Sequence, residues 1–266
     1  MGTFVITPSI FVFMVRQSMF LKHLGSLAVV TCLFPSLSWA VGQADYSLDL
    51  IALYNDTPSR ILVDGKSASF KTGGGGLKFD IGTEDLGSFF TMLGGGYSPS
   101  QSAAFSGVEL SGPADSRFHG GGYSYQYPYT DRLNINFVAD YVSYEITGDL
   151  EGEALALPVT ASVDSTISML DVSVALRFAL APEFYVVVGA GVKDWSLDAR
   201  ADAVIGDSLT ASTDVVASGS DPLFYIGAEF DYRDVPVEIY YRRSEISVDN
   251  SVPLNGLDIR VLLMEF

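Results

Sequence analysis

One glycine-rich stretch of the chain looks able to bind phosphate. Residues 71–79 read KTGGGGLKF, and glycines before a lysine can cradle a phosphate group because backbone N–H groups approach the ligand closely. No helical pattern follows this stretch, and Phe79 stands where a nucleotide-binding loop carries Ser or Thr. Two similar runs, Gly94–Gly96 and Gly120–Gly122, occur further along. The glycines therefore call for an explanation other than a nucleotide.

Histidine and cysteine are too scarce for most site chemistry. Beyond residue 40 the chain contains no cysteine and one histidine, His119. These counts exclude a Cys/His zinc site and a Cys–His dyad within one chain. We predict no cofactor and no metal centre, and His119 remains a weak candidate for imidazole chemistry.

Charged residues fall into two groups. The formal net charge of −17 excludes nucleic acid as a partner, because phosphate binding needs clustered Lys and Arg. One group lies within a few residues of predicted short turns: Lys78, Asp80, Arg132, Arg177, Glu229, Arg233 and Glu238. The other group is acidic and lies in predicted long loops: Asp149, Glu151, Glu153, Asp164, Asp202, Asp207, Asp214 and Asp221.

The N-terminal forty residues have the three parts of a secretory signal peptide. Lys22 and His23 form a positive region, an apolar segment follows from Leu24 to Phe34, and small residues precede Ala40. This pattern predicts cleavage after Ala40. Residues 1–18 lie upstream of a better start at Met19, which leaves a mis-assigned start codon open for this segment. Residues 41–266 are then a single exported domain.

Strict alternation of apolar and polar residues fills that domain. In residues 170–180, Leu, Val, Val, Leu, Phe and Leu occupy the even positions, whereas Asp171, Ser173, Ala175, Arg177 and Ala179 occupy the odd ones. Period-two alternation predicts a β-strand with one apolar face. Ten such strands are predicted, at 44–55, 68–82, 87–99, 117–128, 132–147, 165–181, 184–199, 222–233, 236–248 and 256–266.

The connections between these strands alternate between short turns and long loops. Alternating strands with this arrangement of connections are typical of a transmembrane β-barrel, whose apolar faces meet lipid. We therefore predict an all-β fold, an antiparallel transmembrane barrel of about ten strands. With both termini in the periplasm, the short turns are periplasmic and the long loops extracellular.

With its signal peptide, its alternating strands and its last strand, residues 257–266, the chain resembles Gram-negative outer-membrane β-barrel proteins. Members of that class end in an amphipathic strand with a terminal Phe, so the resemblance implies that Phe266 is an assembly signal for the barrel-assembly machinery. The apolar stripe of Leu257, Ile259, Val261 and Leu263 indicates a change of phase near the end of this strand. The resemblance also implies an outer-membrane location, with outer-membrane lipid and lipopolysaccharide as partners.

Each candidate site admits two interpretations. The turn-proximal charges form either a salt-bridge plug or a constriction that selects ions. The acidic loops are either a solvated surface or bind divalent cations that link to lipopolysaccharide phosphates. The three glycine runs are predicted to lie side by side at one height on adjacent strands, where they permit either bending and internal packing or a groove for a lipid or ligand: Gly74, Gly76, Gly94, Gly96, Gly120 and Gly122.

The resulting functional hypothesis is a non-enzymatic barrel with a structural, surface-interaction or narrow-permeation role. The alternatives are a small-molecule channel or lipid-binding barrel, and a hydrolase at the barrel rim that uses His119. Omptin proteases and lipid A deacylases use barrels of this kind, and their chemistry would require an Asp or Ser as partner of that histidine. Neither stands two residues from His119 in the sequence.

Overall fold

The structure, a computed structural model, describes residues 45–57, 61–63, 66–69, 71–83, 86–105, 108–154, 157–206 and 209–265. The predicted signal peptide, with its cleavage after Ala40, and the terminal Phe266 lie outside these residues. Twelve strands are present in the described part: β1 (Asp45–Asp56), β2 (Ile61–Val63), β3 (Lys66–Ser69), β4 (Lys71–Thr83), β5 (Gly87–Phe105), β6 (Val108–Thr130), β7 (Leu133–Ala154), β8 (Leu157–Ala181), β9 (Phe184–Ile205), β10 (Leu209–Tyr232), β11 (Val235–Ser247) and β12 (Ser251–Glu265). Within the described ranges, no helix has the length and apolarity needed to cross a membrane.

Ten of these strands close into an antiparallel ring. Strands β4 to β12 each pair with the next along the chain, and β1 pairs with both β4 and β12. The short β2–β3 hairpin lies outside the ring, where β3 pairs with β5. Because the ring is closed, no strand of it has an unpaired edge, which is the requirement for a sheet that crosses a hydrocarbon layer. The predicted fold class, an antiparallel transmembrane barrel of about ten strands, is confirmed.

The turns at one end of the barrel are tight. Strands β10 and β11 are joined through Arg233 and Asp234, which both have positive φ, at 55° and 65°. Two residues of this conformation form the hairpin turn whose twist matches that of the flanking strands. The pairing of β1 with β12 skips Leu263, where the sequence predicts a change of phase. We call the end with these tight connections the short-turn end.

At the other end, most of the predicted long loops are continuous strand pairs. Strands β7 and β8 stay in register up to Ala154 and Leu157, and β9 and β10 up to Ile205 and Leu209. Strand β6 likewise begins at Val108, well before the predicted 117. We call these extensions the long-hairpin end. They keep the period-two alternation of a strand, but their polar residues face outward and their apolar residues face the lumen.

The exchange is clear along β8. From Leu170 towards the short-turn end, the outward side chains of β8 are apolar and exposed: Leu170, Val172, Val174, Leu176, Phe178 and Leu180. Towards the long-hairpin end, the same face carries Thr160, Ser162 and Asp164, whereas Ala161, Ile167 and Met169 are buried inside the barrel. The apolar outer band is about 25 Å tall, from eleven residues at about 3.3 Å each and a tilt near 45°. This height matches a membrane, so the boundary of the hydrocarbon layer crosses β8 near Leu170.

This boundary makes a testable distinction between two outward positions on one strand. Val174→Arg places a cation within the apolar band and is expected to lower the free energy of unfolding by about 2–4 kcal/mol. Ser162→Arg, on the same face beyond the band, is expected to change it by less than about 0.5 kcal/mol. Urea titration of both variants in lipid vesicles measures the difference, and equal losses would show that the band is misplaced.

Candidate functional site

Charged side chains fill the lumen near the short-turn end, where three cations are each paired with carboxylates. The Lys78 ammonium lies 2.5 Å from the Asp80 carboxylate and 3.6 Å from that of Asp49. The Glu229 carboxylate accepts hydrogen bonds from both Arg177 and Tyr240. Each of these charges therefore has a partner, which offsets the cost of burying it.

The third pair joins strands β11 and β12, and two neighbouring rings complete this layer. The Arg260 guanidinium lies 3.3 Å from the Glu238 carboxylate and 5.6 Å from the centre of the Tyr240 ring. The Arg177 guanidinium lies 3.3 Å over the ring of Tyr185. Five of the seven predicted lumen charges thus contribute to this layer, with Asp49 and Arg260 as partners that the sequence pattern did not single out.

Arg132 and Arg233 do not belong to this network, and their prediction as lumen charges was wrong. Arg233 occupies the positive-φ turn before β11, and Arg132 occupies the turn before β7. Both side chains are exposed, and no ion pair among the described residues includes either of them. Strand parity assigned them to the lumen, but a turn residue no longer follows that parity.

A second, more deeply buried charge network lies in the middle of the lumen. The Arg242 guanidinium lies 2.7 Å from the Asp258 carboxylate, 3.3 Å from that of Asp171 and 3.6 Å from that of Asp140. Lys193 lies 2.9 Å from Asp171. Three carboxylates thus share two cations in a space that water reaches poorly. The guanidinium of Arg242 thus connects four strands: β7, β8, β11 and β12.

A cavity of about 40 Å³ adjoins this network. Its lining includes Arg242, Asp258 and Ser244, and the buried hydroxyl of Ser244 has no hydrogen-bond partner among the described residues. About 10–15 Å³ of such volume suffices for a water molecule with polar partners. The cavity is therefore of the right size and polarity for a few buried water molecules.

Apolar side chains fill the lumen above the charges. A buried cluster includes Ile51, Phe118, Tyr144, Met169 and Trp195, drawn from strands around the ring. The Trp195 indole donates a hydrogen bond of 2.7 Å to Asp221, so its one polar atom is satisfied. This layer forms an apolar core. Beyond the membrane boundary near Leu170, the barrel therefore has apolar residues inside and polar residues outside.

Three of the six predicted glycines provide room for rings from neighbouring strands. A Cβ added at Gly76 or Gly94 would meet the ring of Phe118, and one added at Gly122 would meet the ring of Phe90. At Gly120 the nearest side chain is Met92, and at Gly74 and Gly96 an added Cβ would meet the backbone of the paired strand. The structure therefore supports internal packing as the role of these residues.

The register of the glycine runs differs from the predicted side-by-side arrangement. Gly74, Gly75 and Gly76 of β4 pair directly with Gly96, Gly95 and Gly94 of β5. The run in β6 instead pairs with Phe90, Thr91 and Met92. Two tyrosine rings pack on glycines elsewhere in the barrel: Tyr225 on Gly189 and Tyr240 on Gly227.

His119 lies on the outer wall and not at a rim. It occupies the middle of β6, where its register partners are Leu93 and Ser143, and its side chain is exposed. Arg117 is the next outward residue on the strand. Inward parity is needed for a site in the barrel mouth, so His119 and the described lumen do not form one. Among the described residues, no cluster of three or more His, Cys, Asp or Glu side chains is arranged to hold a metal ion.

Most of the predicted acidic residues line the outside of the long-hairpin end. The exposed ones lie on β7 to β10: Asp149, Glu151, Glu153, Asp164, Asp202 and Asp214. Arg200 donates a hydrogen bond to Asp202 and thereby lowers the pKa of that carboxyl. Asp221 is buried beside Trp195 and is not a surface acid, and Asp207 lies outside the described residues.

The middle network was missed at the level of sequence, although the signal was present. Asp140, Asp171, Lys193, Arg242 and Asp258 all occupy inward positions of their strands, and each follows an outward apolar residue. These charges lie further along their strands from the short turns than the charges that were predicted to line the lumen. Which carboxylate meets which cation depends on strand register, and that register is a property of the closed ring.

Fold and lumen together define a transmembrane-type β-barrel whose interior is filled with side chains. No protein-family model and no curated protein sequence matches the chain. The translocator domain of the autotransporter NalP from Neisseria meningitidis is similar at 11% identity, with 92% of this chain and 100% of that one covered and a TM-score of 0.45. The protease OmpT of Escherichia coli is similar at 8% identity, with coverage of 84% and 96% and a TM-score of 0.45. The attachment invasion locus protein Ail of Yersinia pestis is similar at 9% identity, with coverage of 84% and 99% and a TM-score of 0.39.

The central position of Arg242 predicts a strong effect of its removal. Arg242→Met leaves Asp140 and Asp258 without the cation they share, so the free energy of unfolding is expected to fall by about 3–5 kcal/mol. Arg243→Met, one residue further on the exposed outer face, is the matched control and is expected to have little effect. Urea titration in lipid vesicles compares the two, and similar losses would contradict the role of the network.

A glycine–ring pair can be tested separately by a double-mutant cycle. The three atoms nearest to a Cβ added at Gly189 all belong to the ring of Tyr225. Gly189→Ala is expected to destabilise the barrel by about 1–3 kcal/mol through overpacking. In a Tyr225→Ala background the same substitution is expected to cost much less, whereas additive effects would exclude this packing.

Proposed function

We propose that the protein is a closed, non-enzymatic barrel of the Gram-negative outer membrane whose function lies in its extracellular hairpins. In this proposal the short-turn end faces the periplasm and the long-hairpin end faces outward. The observation that carries the proposal is the filling of the lumen by successive layers of side chains. A barrel with a filled lumen serves as a scaffold that presents its extracellular hairpins to partners.

The layers support closure in different ways. At the short-turn end, charged groups are held in pairs such as Arg177–Glu229. In the middle, Arg242 binds carboxylates from three other strands, beside a cavity of about 40 Å³. Above it lies the apolar cluster that contains Phe118 and Trp195. An ion would have to displace all three layers to cross, so a permeation role is the less favoured alternative.

The placement of His119 supports a non-enzymatic role. Its side chain projects from the outer wall, with Leu93 beside it in the sheet. General-base catalysis needs a histidine within hydrogen-bond reach of a nucleophile or an orienting carboxylate. None of the hydrogen bonds or ion pairs among the described residues engages the His119 side chain.

The outer wall of the hairpins suggests the partners. Asp149, Glu151 and Asp202 belong to an exposed acidic surface that would lie just above the outer leaflet. We propose that divalent cations bridge this surface and lipopolysaccharide phosphates, since carboxylates and phosphates share a preference for hard cations. Insertion would depend on the barrel-assembly machinery, with Phe266 as the proposed signal.

The closed lumen predicts the electrical behaviour of the protein. After reconstitution into a planar lipid bilayer, the folded barrel is expected to show no steady conductance, because side chains occupy its lumen. An open porin of known conductance serves as the control for insertion, and heat-modifiable migration on a denaturing gel verifies folding. Regular, long-lived conductance steps from the folded protein would overturn the proposal in favour of the permeation role.

A further inference from the structure

A second cavity lies in the mouth of the barrel, above the apolar cluster. Its volume is about 100 Å³, and aliphatic side chains supply most of its walls: Ala114, Ile146, Leu150, Val163, Ile167 and Leu197. These residues occur on β6 to β9, on the stretches whose outward neighbours are polar. The cavity therefore lies beyond the membrane band, inside the water-exposed part of the barrel.

The β2–β3 hairpin covers this cavity. Strand β3 pairs with β5 through Ser67 and Ser69, and the hydroxyls of Ser69 and Ser102 lie 2.8 Å apart. From that edge the Lys66 ammonium donates a hydrogen bond of 2.7 Å to the carbonyl of Asp214 on β10. Strands β5 and β10 are five strands apart in a ring of ten. The hairpin thus crosses the mouth from one side to the other.

The chemistry of the cavity is amphipathic. Its depth is aliphatic, whereas its roof carries Lys66, Ser67, Ser69 and the amide of Gln101. An ammonium group has three N–H donors, and the carbonyl of Asp214 accepts one of them. No ion pair among the described residues includes Lys66, so its charge is available to a ligand at the roof.

We propose that this mouth cavity binds a small linear carboxylate, with its alkyl chain among the aliphatic walls and its carboxylate at Lys66. A dry cavity of about 150 Å³ lined by aliphatic residues binds benzene. The mouth cavity is somewhat smaller, so it accommodates the end of a chain and the remainder extends towards the roof. Burial of the chain drives binding, and a charge-assisted hydrogen bond from Lys66 selects the carboxylate.

Trp195 provides a direct readout. It is the only tryptophan in residues 41–266, and it belongs to the cluster against which the cavity residues Leu197 and Val215 pack. A bromine atom quenches indole fluorescence at short range. The probe is therefore ω-bromooctanoate, whose bromine would reach the depth of the cavity, added to the folded barrel in lipid nanodiscs.

Two filling variants and their matched controls test the location. Ala199→Leu and Val163→Phe each place carbon atoms in the cavity, which both residues line. Ala190→Leu and Val172→Phe make the same changes on the same strands at exposed outward positions. Saturable quenching is expected in the unmodified barrel and in both controls, with affinity lowered about tenfold or more in the filling variants. Folding of each variant is verified by heat-modifiable migration.

The carboxylate is tested by a charge deletion. Lys66→Gln is expected to weaken ω-bromooctanoate binding about tenfold and to leave ω-bromooctanol binding unchanged. Lys71→Gln is the control, because the Lys71 ammonium lies 6.0 Å from the ring of Tyr54, an exposed outward residue. Quenching that rises linearly and equally in all variants would mean partition into lipid alone and would overturn the proposal. Equal octanoate affinities with and without Lys66 would overturn the assignment of the carboxylate.

Discussion

The rest of the structure depends on closure of the ring. Within a hydrocarbon layer an unpaired backbone N–H or C=O costs several kcal/mol, so a sheet can cross only when its first and last strands pair. Strands β1 and β12 make that pairing, with a shift at Leu263 that adjusts the last residues. Once the ring of ten strands is closed, the inward positions converge on a narrow lumen. Every charge, ring and glycine inside must then fit the same small space.

The lumen solves this problem in layers that differ in chemistry. Charges near the short-turn end pair within one strand or between strands no more than two apart, and Arg242 gathers Asp140, Asp171 and Asp258 in the middle. Rings pack above and between them, with Phe118 over Gly76 and Gly94, and Tyr225 over Gly189. Glycine costs roughly 0.5–1 kcal/mol relative to alanine in a strand, and the burial of a ring in the space it leaves offsets that cost. Bending of the barrel is not required to explain these glycines.

The two faces of the sheet exchange their polarity at the boundary, so the barrel has a membrane part and a water-exposed part. Below Leu170 the outside is apolar and the inside is charged, as a lipid environment requires. Above it Asp164 and Asp202 face water, whereas Leu150 and Ile167 form a core. The mouth cavity belongs to this second part, which resembles a small water-exposed barrel closed by a hairpin. A membrane barrel can therefore carry an apolar binding site that the membrane itself does not touch.

The sequence by itself determined the class of fold, because period-two alternation over long segments has one physical interpretation once the turns are short at one end. It also determined the lipid face, since the outward apolar residues of β8 all follow from parity. Tertiary structure decided the site. Arg132 and Arg233 lie outside the charge layer at the short-turn end because turn geometry removes a residue from strand parity. Arg242 forms a separate network because register brings three carboxylates to one guanidinium. Residues 148–154 and 157–164, predicted as loop, are strand because their alternation, with small and aliphatic residues inside and polar residues outside, has a core only when the hairpins stand in a closed ring.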